Sequence, residues 1–173
     1  MRSIILAAAL GAIVSPALAQ APAPATASAR FIDQSGKEIG TATLTQTPSG
    51  VLIKAELSGV PAGEHAFHIH EVGICDPATK FNSAKGHFSG GHQHGYLVAG
   101  GPHLGDMPNQ FAPADGVLRI EVFNPMVTLD SSGRGVFDQD GSALVLHVGK
   151  DDYTTQPTGA AGDRLACAVI ERK

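Results

Sequence analysis

"GVLIKAELSGVPAGEHAFHIHE", residues 50–71, decides the fold, because its apolar residues recur at every second position rather than every third or fourth. Val51, Ile53, Ala55 and Leu57 alternate with Leu52, Lys54, Glu56 and Ser58. Successive side chains of an extended chain point to opposite faces, so this run is a strand with one face turned to a core. Turn signals bound it, Pro48-Ser49-Gly50 before and Pro61-Ala62-Gly63 after. The stretch then brings in His65, His68 and His70. On a strand His68 and His70 project together, Phe67 and Ile69 turn into the core, and His65, of odd number, turns away from the pair.

Similar runs recur at 41–45 (TATLT), 117–123 (VLRIEVF), 143–148 (ALVLHV) and 166–170 (ACAVI), separated by clusters of Gly, Pro, Asp and Ser. No longer window shows an apolar stripe at helical spacing. Short strands joined by turn chemistry predict an all-β sandwich or Greek-key barrel. Two long segments break the rhythm: 72–110, rich in Gly and His, and 151–164, polar and ending in TGAAGDR. Loops this long inside one domain carry function or are held by something.

The chain of 173 residues opens with Arg2, an apolar run from Ile4 to Val14, Ser15-Pro16 and Ala17-Leu18-Ala19. This pattern reads as a secretory signal peptide, residues 1–19, cut after Ala19. The apolar run is shorter than the ~20 residues a membrane span needs, so the mature chain is expected to have no span. Residues 20–29, QAPAPATASA, read as a flexible Pro/Ala-rich tether. The folded domain is expected over 30–173, long enough for one sizeable core. The net charge of −4 becomes −5 once Arg2 is removed, and no basic run appears, which argues against nucleic acid as a partner. Cys75 and Cys167 are the two cysteines, and in an exported chain they are expected to pair. A bridge closing about 90 residues is worth roughly 4–5 kcal/mol in the chain-entropy account.

All eight histidines fall between positions 65 and 147. His87, His92, His94, His103 and Asp106 share the first long loop, and a carboxylate among imidazoles is a shell that zinc accepts. His147 lies in an apolar strand on the face of Ala143 and Val145. Just beyond it, Asp151 and Asp152 are placed to accept from the far N–H of a metal-bound imidazole.

The blocks GEHAFHIHEVGIC (63–75), GHF (86–88), HGYLVAGGPHLGDMPN (94–109), DGSALVLHVGKDDY (140–153) and TGAAGDRLACAVI (158–170) carry a family likeness. From about Arg30 onward the chain resembles the copper-zinc superoxide dismutases in their bacterial exported form. The resemblance implies a flattened Greek-key β-barrel of eight antiparallel strands, with two long functional loops carrying the site. It implies one copper and one zinc per chain, and dismutation of superoxide to dioxygen and hydrogen peroxide by alternate reduction and reoxidation of a His-ligated copper. By resemblance the copper ligands are His68, His70, His87 and His147, and the zinc ligands are His87, His94, His103 and Asp106, so that His87 bridges the two. Cys75–Cys167 matches the family disulfide, Arg164 the arginine that guides the anion, and Asp151 the carboxylate joining a copper ligand to a zinc ligand. His65 matches a histidine that hydrogen-bonds to backbone. A periplasmic location is implied, and relatives occur both as monomers and as homodimers.

Three departures from the family pattern bear on the site. Ser89-Gly90 stand where the family reads Asn-Pro. The step from His87 to His94 is one residue short, and His92 lies inside it as a rival zinc ligand. His94 is preferred because the run after it keeps the family step to His103 and Asp106. Pro157 stands where some relatives place a lysine, and Asp163 adjoins Arg164, so the rate should fall less steeply with added salt than in relatives with that lysine. A non-enzymatic copper-binding or metal-delivery protein on the same barrel is the competing reading, and the complete copper set with Arg164 argues against it. A zinc hydrolase needs an open coordination position, which three histidines and Asp106 do not leave.

Overall fold

The computed structural model describes residues 23–173; the expected signal peptide and the first residues of the tether lie outside the described residues. Period-two alternation becomes strands β1 (Thr26–Asp33), β2 (Glu38–Thr47), β3 (Gly50–Ser58), β4 (Gly63–His65), β5 (Phe67–His70), β6 (Gln110–Ala112), β7 (Val117–Asn124), β8 (Ala143–His147) and β9 (Arg164–Arg172). β3 shows why: Val51, Ile53, Ala55 and Leu57 are buried, while Lys54, Glu56 and Ser58 face solvent.

Seven strands form one antiparallel sheet in the order β5-β8-β9-β1-β2-β3-β7, and β4 pairs with β6. β4 runs into β5, one edge of the sheet, and β6 turns at Pro113–Gly116 into β7, the other edge. Pairing β4 with β6 therefore draws the two edges together and closes the curled sheet into a flattened barrel, which leaves little open edge to aggregate. The connections β3 to β4 and β7 to β8 cross between non-neighbouring strands, as a Greek key requires.

Two boundaries differ from the sequence reading. β1 begins at Thr26, four residues before Arg30, so the tether ends earlier than expected. Ala27 and Ala29 lack the bulk that signals a strand, yet both are buried, and β1 is flanked by β2 and β9, whose ladders hold its backbone. The run 63–70 is interrupted at Ala66, whose N–H donates to the Gly149 carbonyl at 2.8 Å and whose own carbonyl accepts from His147 N at 2.9 Å. Counted as one bent strand, β4 and β5 bring the barrel to eight.

The main core lies inside the barrel, with Phe31, Leu44, Ile53, Leu57, Phe67, Ile69, Leu118, Leu144 and Leu146 fully buried. A second, smaller apolar cluster sits on the outer face of β8 and β9: Phe81, Ala84, Ala143, Val145 and Cys167. That face is covered by the long segment 71–109, which the Cys75–Cys167 disulfide fastens to β9. The barrel wall at β5, β8 and β9 is thus buried on both sides, and its outer side is where the histidines face.

Candidate metal centre

Register decides which side chains meet. His68 pairs with Val145 and His70 with Ala143, so both histidines share the outer face with those residues and with His147. β9 slips by one residue beside His147: Leu146 faces Ala166, but His147 faces Arg164 rather than Leu165. This bulge brings the Arg164 side chain next to His147, the usual way a bulge re-aims a side chain beside a site. From the covering segment, His87 bridges to His70 and Asp106 to His68. Gly105 fits beneath because a Cβ there would overlap the Ile69 carbonyl.

Two groups of buried ligand atoms result, and in each the atoms lie within 4.8 Å of one another: His68, His70, His87 and His147, and His87, His94, His103 and Asp106. In the first group, one ring nitrogen of each histidine is held from outside. His68 Nε2 lies 2.9 Å from Asp151 Oδ2, His70 Nδ1 2.9 Å from the Lys85 carbonyl, and His147 Nδ1 3.3 Å from the Gly162 carbonyl. Such acceptors fix the tautomer and leave the opposite nitrogen free as a ligand. His87 Nδ1 lies 2.9 Å from Asp106 Oδ1 in the second group, which leaves Nε2 for the first. His68 Nδ1, His87 Nε2 and His103 Nδ1 are buried without a hydrogen-bond partner. Unpaired buried nitrogens are costly, and a cation at the middle of each group is the partner their lone pairs lack. The donor set fits metal: all nitrogen in the first group, three imidazoles and one carboxylate in the second.

Asp151 spans both groups, with Oδ2 on His68 and Oδ1 3.0 Å from His94 Nε2. Asp106 Oδ2 also accepts from the N–H groups of Gly95 and His103, at 2.9 and 3.0 Å. The electrostatics separate the groups. Burial pushes His87 down to about 4 and His147 down to about 3, and burial with neighbouring rings holds His70 well below its usual value. Burial also acts to lower His94, but its bonds to Asp106 and Asp151 outweigh that and raise it to about 9. Both carboxylates lie well below the usual range: burial opposes this, and their imidazole partners overcome it. Without metal, His70, His87 and His147 of the first group are held neutral by burial, while the second group carries an imidazolium at His94.

His92 is exposed, its N–H bonded to the Ser89 carbonyl, and it belongs to neither group. His65 faces away, with Nδ1 2.8 Å from the His147 carbonyl and Nε2 2.8 Å from the Pro61 carbonyl. Asp152 turns outward to cap Thr154 and Thr155. Arg164 donates to the carbonyls of Phe81 and Lys85, which hold its guanidinium over the covering segment. A cavity of about 210 Å³ opens there, lined by His70, His147, Arg164, Lys80, Asn82 and Thr158 among others. Lys80 was not visible as a site residue in the sequence; its one signal is a position between Cys75 and His87, in a segment that must fold over the site. A larger groove, about 660 Å³ beside the β1–β2 turn, shares no residue with either group.

The family described as copper/zinc superoxide dismutase matches residues 38–170. The chain is 50% identical over 146 residues to the copper-zinc superoxide dismutase 1 of Aquifex aeolicus (strain VF5), covering 83% of this chain and 86% of that protein. It is 45% identical over 139 residues to the copper-zinc superoxide dismutase of Caulobacter vibrioides, covering 79% and 80%. Among solved structures, a superoxide-dismutase-like protein from Bacillus subtilis superposes with a TM-score of 0.78 at 32% identity, over 82% of this chain and 96% of that one. A barrel closed by β4 and β6, two metal-ready groups sharing His87 and these likenesses converge: the chain belongs to the copper/zinc superoxide dismutase family.

Proposed function

We infer that this chain dismutates superoxide to dioxygen and hydrogen peroxide with one copper and one zinc. The observation that carries the reading is His87, a member of both metal-ready groups, with one ring nitrogen beside Asp106 and the other unpartnered. Imidazole-held copper supplies the one-electron redox chemistry, and zinc, which has none, supplies a fixed charge that orders the loop. In this reading His68, His70, His87 and His147 hold copper, and His87, His94, His103 and Asp106 hold zinc. Asp151 fixes His68 and His94 together, so the two shells share a carboxylate as well as a ring. Arg164, charged at any relevant pH, offers its guanidinium fork to a small anion in the cavity beside His70 and His147. Lys80 adds a second cation on the same wall, opposed by Asp163. His87 Nε2 is the atom on which this chain carries a proton toward the product, its Nδ1 being committed to the second group.

The same reading places the protein outside the cytoplasm, in the periplasm, after removal of residues 1–19. The disulfide and the signal-like start support it. No helix among the described residues is long and apolar enough to cross a membrane. A homodimer belongs to the reading too, with exposed Phe111 on β6 and Phe123 on β7 as apolar surface for it; sedimentation at the mass of one chain removes that part. The test of the activity is superoxide decay followed by stopped flow on the copper- and zinc-loaded protein. Fast decay abolished in His147→Ala supports the reading, and metal binding without decay returns the metal-delivery alternative.

A further inference from the structure

Three of the four residues in the second group are held in place by main-chain bonds beside them or by one another. His87 is flanked by ladder bonds, Glu71 N to the Gly86 carbonyl and Phe88 N to the Ile69 carbonyl, and His103 and Asp106 bond to each other through backbone and carboxylate. His94 differs. It lies in the glycine-rich, shortened step, and neither its N–H nor its carbonyl has a main-chain partner. Both are taken by one side chain from the other long loop: Gln156 Oε1 accepts from His94 N at 3.0 Å, and Gln156 Nε2 donates to the His94 carbonyl at 2.8 Å.

A carboxamide that grips both polar groups of one residue imitates the pairing of a β-ladder and fixes that residue's position and orientation. A second grip runs the opposite way. Asn109, at the end of the histidine-rich loop, donates from Nδ2 to the Asp151 carbonyl and accepts at Oδ1 from Asp151 N, both at 2.8 Å. Each loop therefore clasps the backbone of the other, and the clasped residues, His94 and Asp151, are themselves joined side chain to side chain at 3.0 Å.

We propose that Gln156 is a positioning residue for the zinc shell, which sets the His94 imidazole by clasping its backbone and so makes retention of zinc depend on the loop that leads to Arg164. The proposal rests on the assignment of His94 to zinc made above. Gln156 itself is exposed and hydrogen-bonds no ligand atom; it also donates to the Thr154 carbonyl of its own loop at 3.1 Å, so its one link to the zinc shell is the His94 backbone. The loop around it is built to present it: Asp152 caps Thr154 and Thr155, and Gly159 N bonds back to the Thr155 carbonyl.

The experiment uses the full-length, zinc-loaded protein. Zinc release to a chelator is timed, and the absorption bands of cobalt(II) substituted for zinc report the geometry of the shell. Gln156→Ala should release zinc about 10- to 100-fold faster, the usual loss when an outer-shell partner goes, and should change the cobalt bands. Gln156→Glu keeps the acceptor for His94 N–H but loses the donor, and should fall between wild type and Ala. Thr155→Val disturbs the same loop without touching the clasp and should release zinc at the wild-type rate. Release from Gln156→Ala within twofold of wild type with unchanged cobalt bands overturns the proposal, and so does equal loosening by Thr155→Val. His94→Ala separates the two layers: if it keeps one zinc per chain, the ligand assignment fails; if it loses zinc while Gln156→Ala holds it normally, the clasp alone fails.

Discussion

At the scale of single residues, the site works by giving each imidazole two different neighbours. His68, His70 and His147 each have one nitrogen pinned by Asp151, the Lys85 carbonyl or the Gly162 carbonyl, and burial holds the His70 and His147 rings neutral. His94 has carboxylates on both nitrogens. Metal uptake should therefore respond differently to pH in the two groups. If His94 holds zinc as proposed, the metal must displace a proton from it below about 9, so apparent zinc affinity should rise about tenfold per pH unit toward that value. Copper uptake should gain no such rise above pH 5 from His87 and His147, which protonate near 4 and 3. Titrations of the metal-free chain between pH 5 and 8 check this, and parallel slopes contradict it. The same groups act on stability without metal. His94 contributes below 6.5 and loses its contribution as pH rises through about 9, whereas His87 and His147 contribute above 6.5 and lose theirs as pH falls toward 4 and 3. Lys80 and Arg164 are the cations beside the cavity, so Lys80→Ala should lower kcat/KM severalfold at low salt and flatten its salt dependence, with little change at high salt.

At the scale of elements, much of the site was legible because strand parity is strict. His68 with His70 and His147 with Ala143 and Val145 follow from odd and even positions, whereas His65 lies in β4, before the break at Ala66, and is held apart by the His147 and Pro61 carbonyls. The rest depended on tertiary closeness. The bulge at Leu165 that sets Arg164 beside His147 has no local signature, and β1 began in small residues that propensity does not mark as a strand. Lys80, Asn109 and Gln156 act across loops far apart in sequence, so no spacing rule finds them. Gly159 is a further case: a Cβ there would overlap Asp151 Oδ1 and crowd His94 Nε2, and its φ is +64°. Gly159→Ala should push Asp151 off both histidines, weaken zinc retention and leave the barrel folded, as zinc release and far-ultraviolet circular dichroism would show.

At the scale of the molecule, barrel and site are separable. Phe31 is buried in the main core, its ring 6.3 Å from that of Phe67, and belongs to neither metal group. Phe31→Ala should cost about 3–5 kcal/mol in urea unfolding and leave metal stoichiometry intact. The disulfide, in contrast, ties the covering segment to the wall it covers. Cys75→Ser with Cys167→Ser should cost about 2–5 kcal/mol and loosen the loop carbonyls that hold Arg164. The central claim is that one residue, His87, belongs to both metal shells, and separate copper and zinc titrations of the metal-free protein test it most directly. His70→Ala should weaken copper alone, His103→Ala zinc alone, and His87→Ala both; a His87→Ala protein that keeps either metal at wild-type affinity would contradict the account.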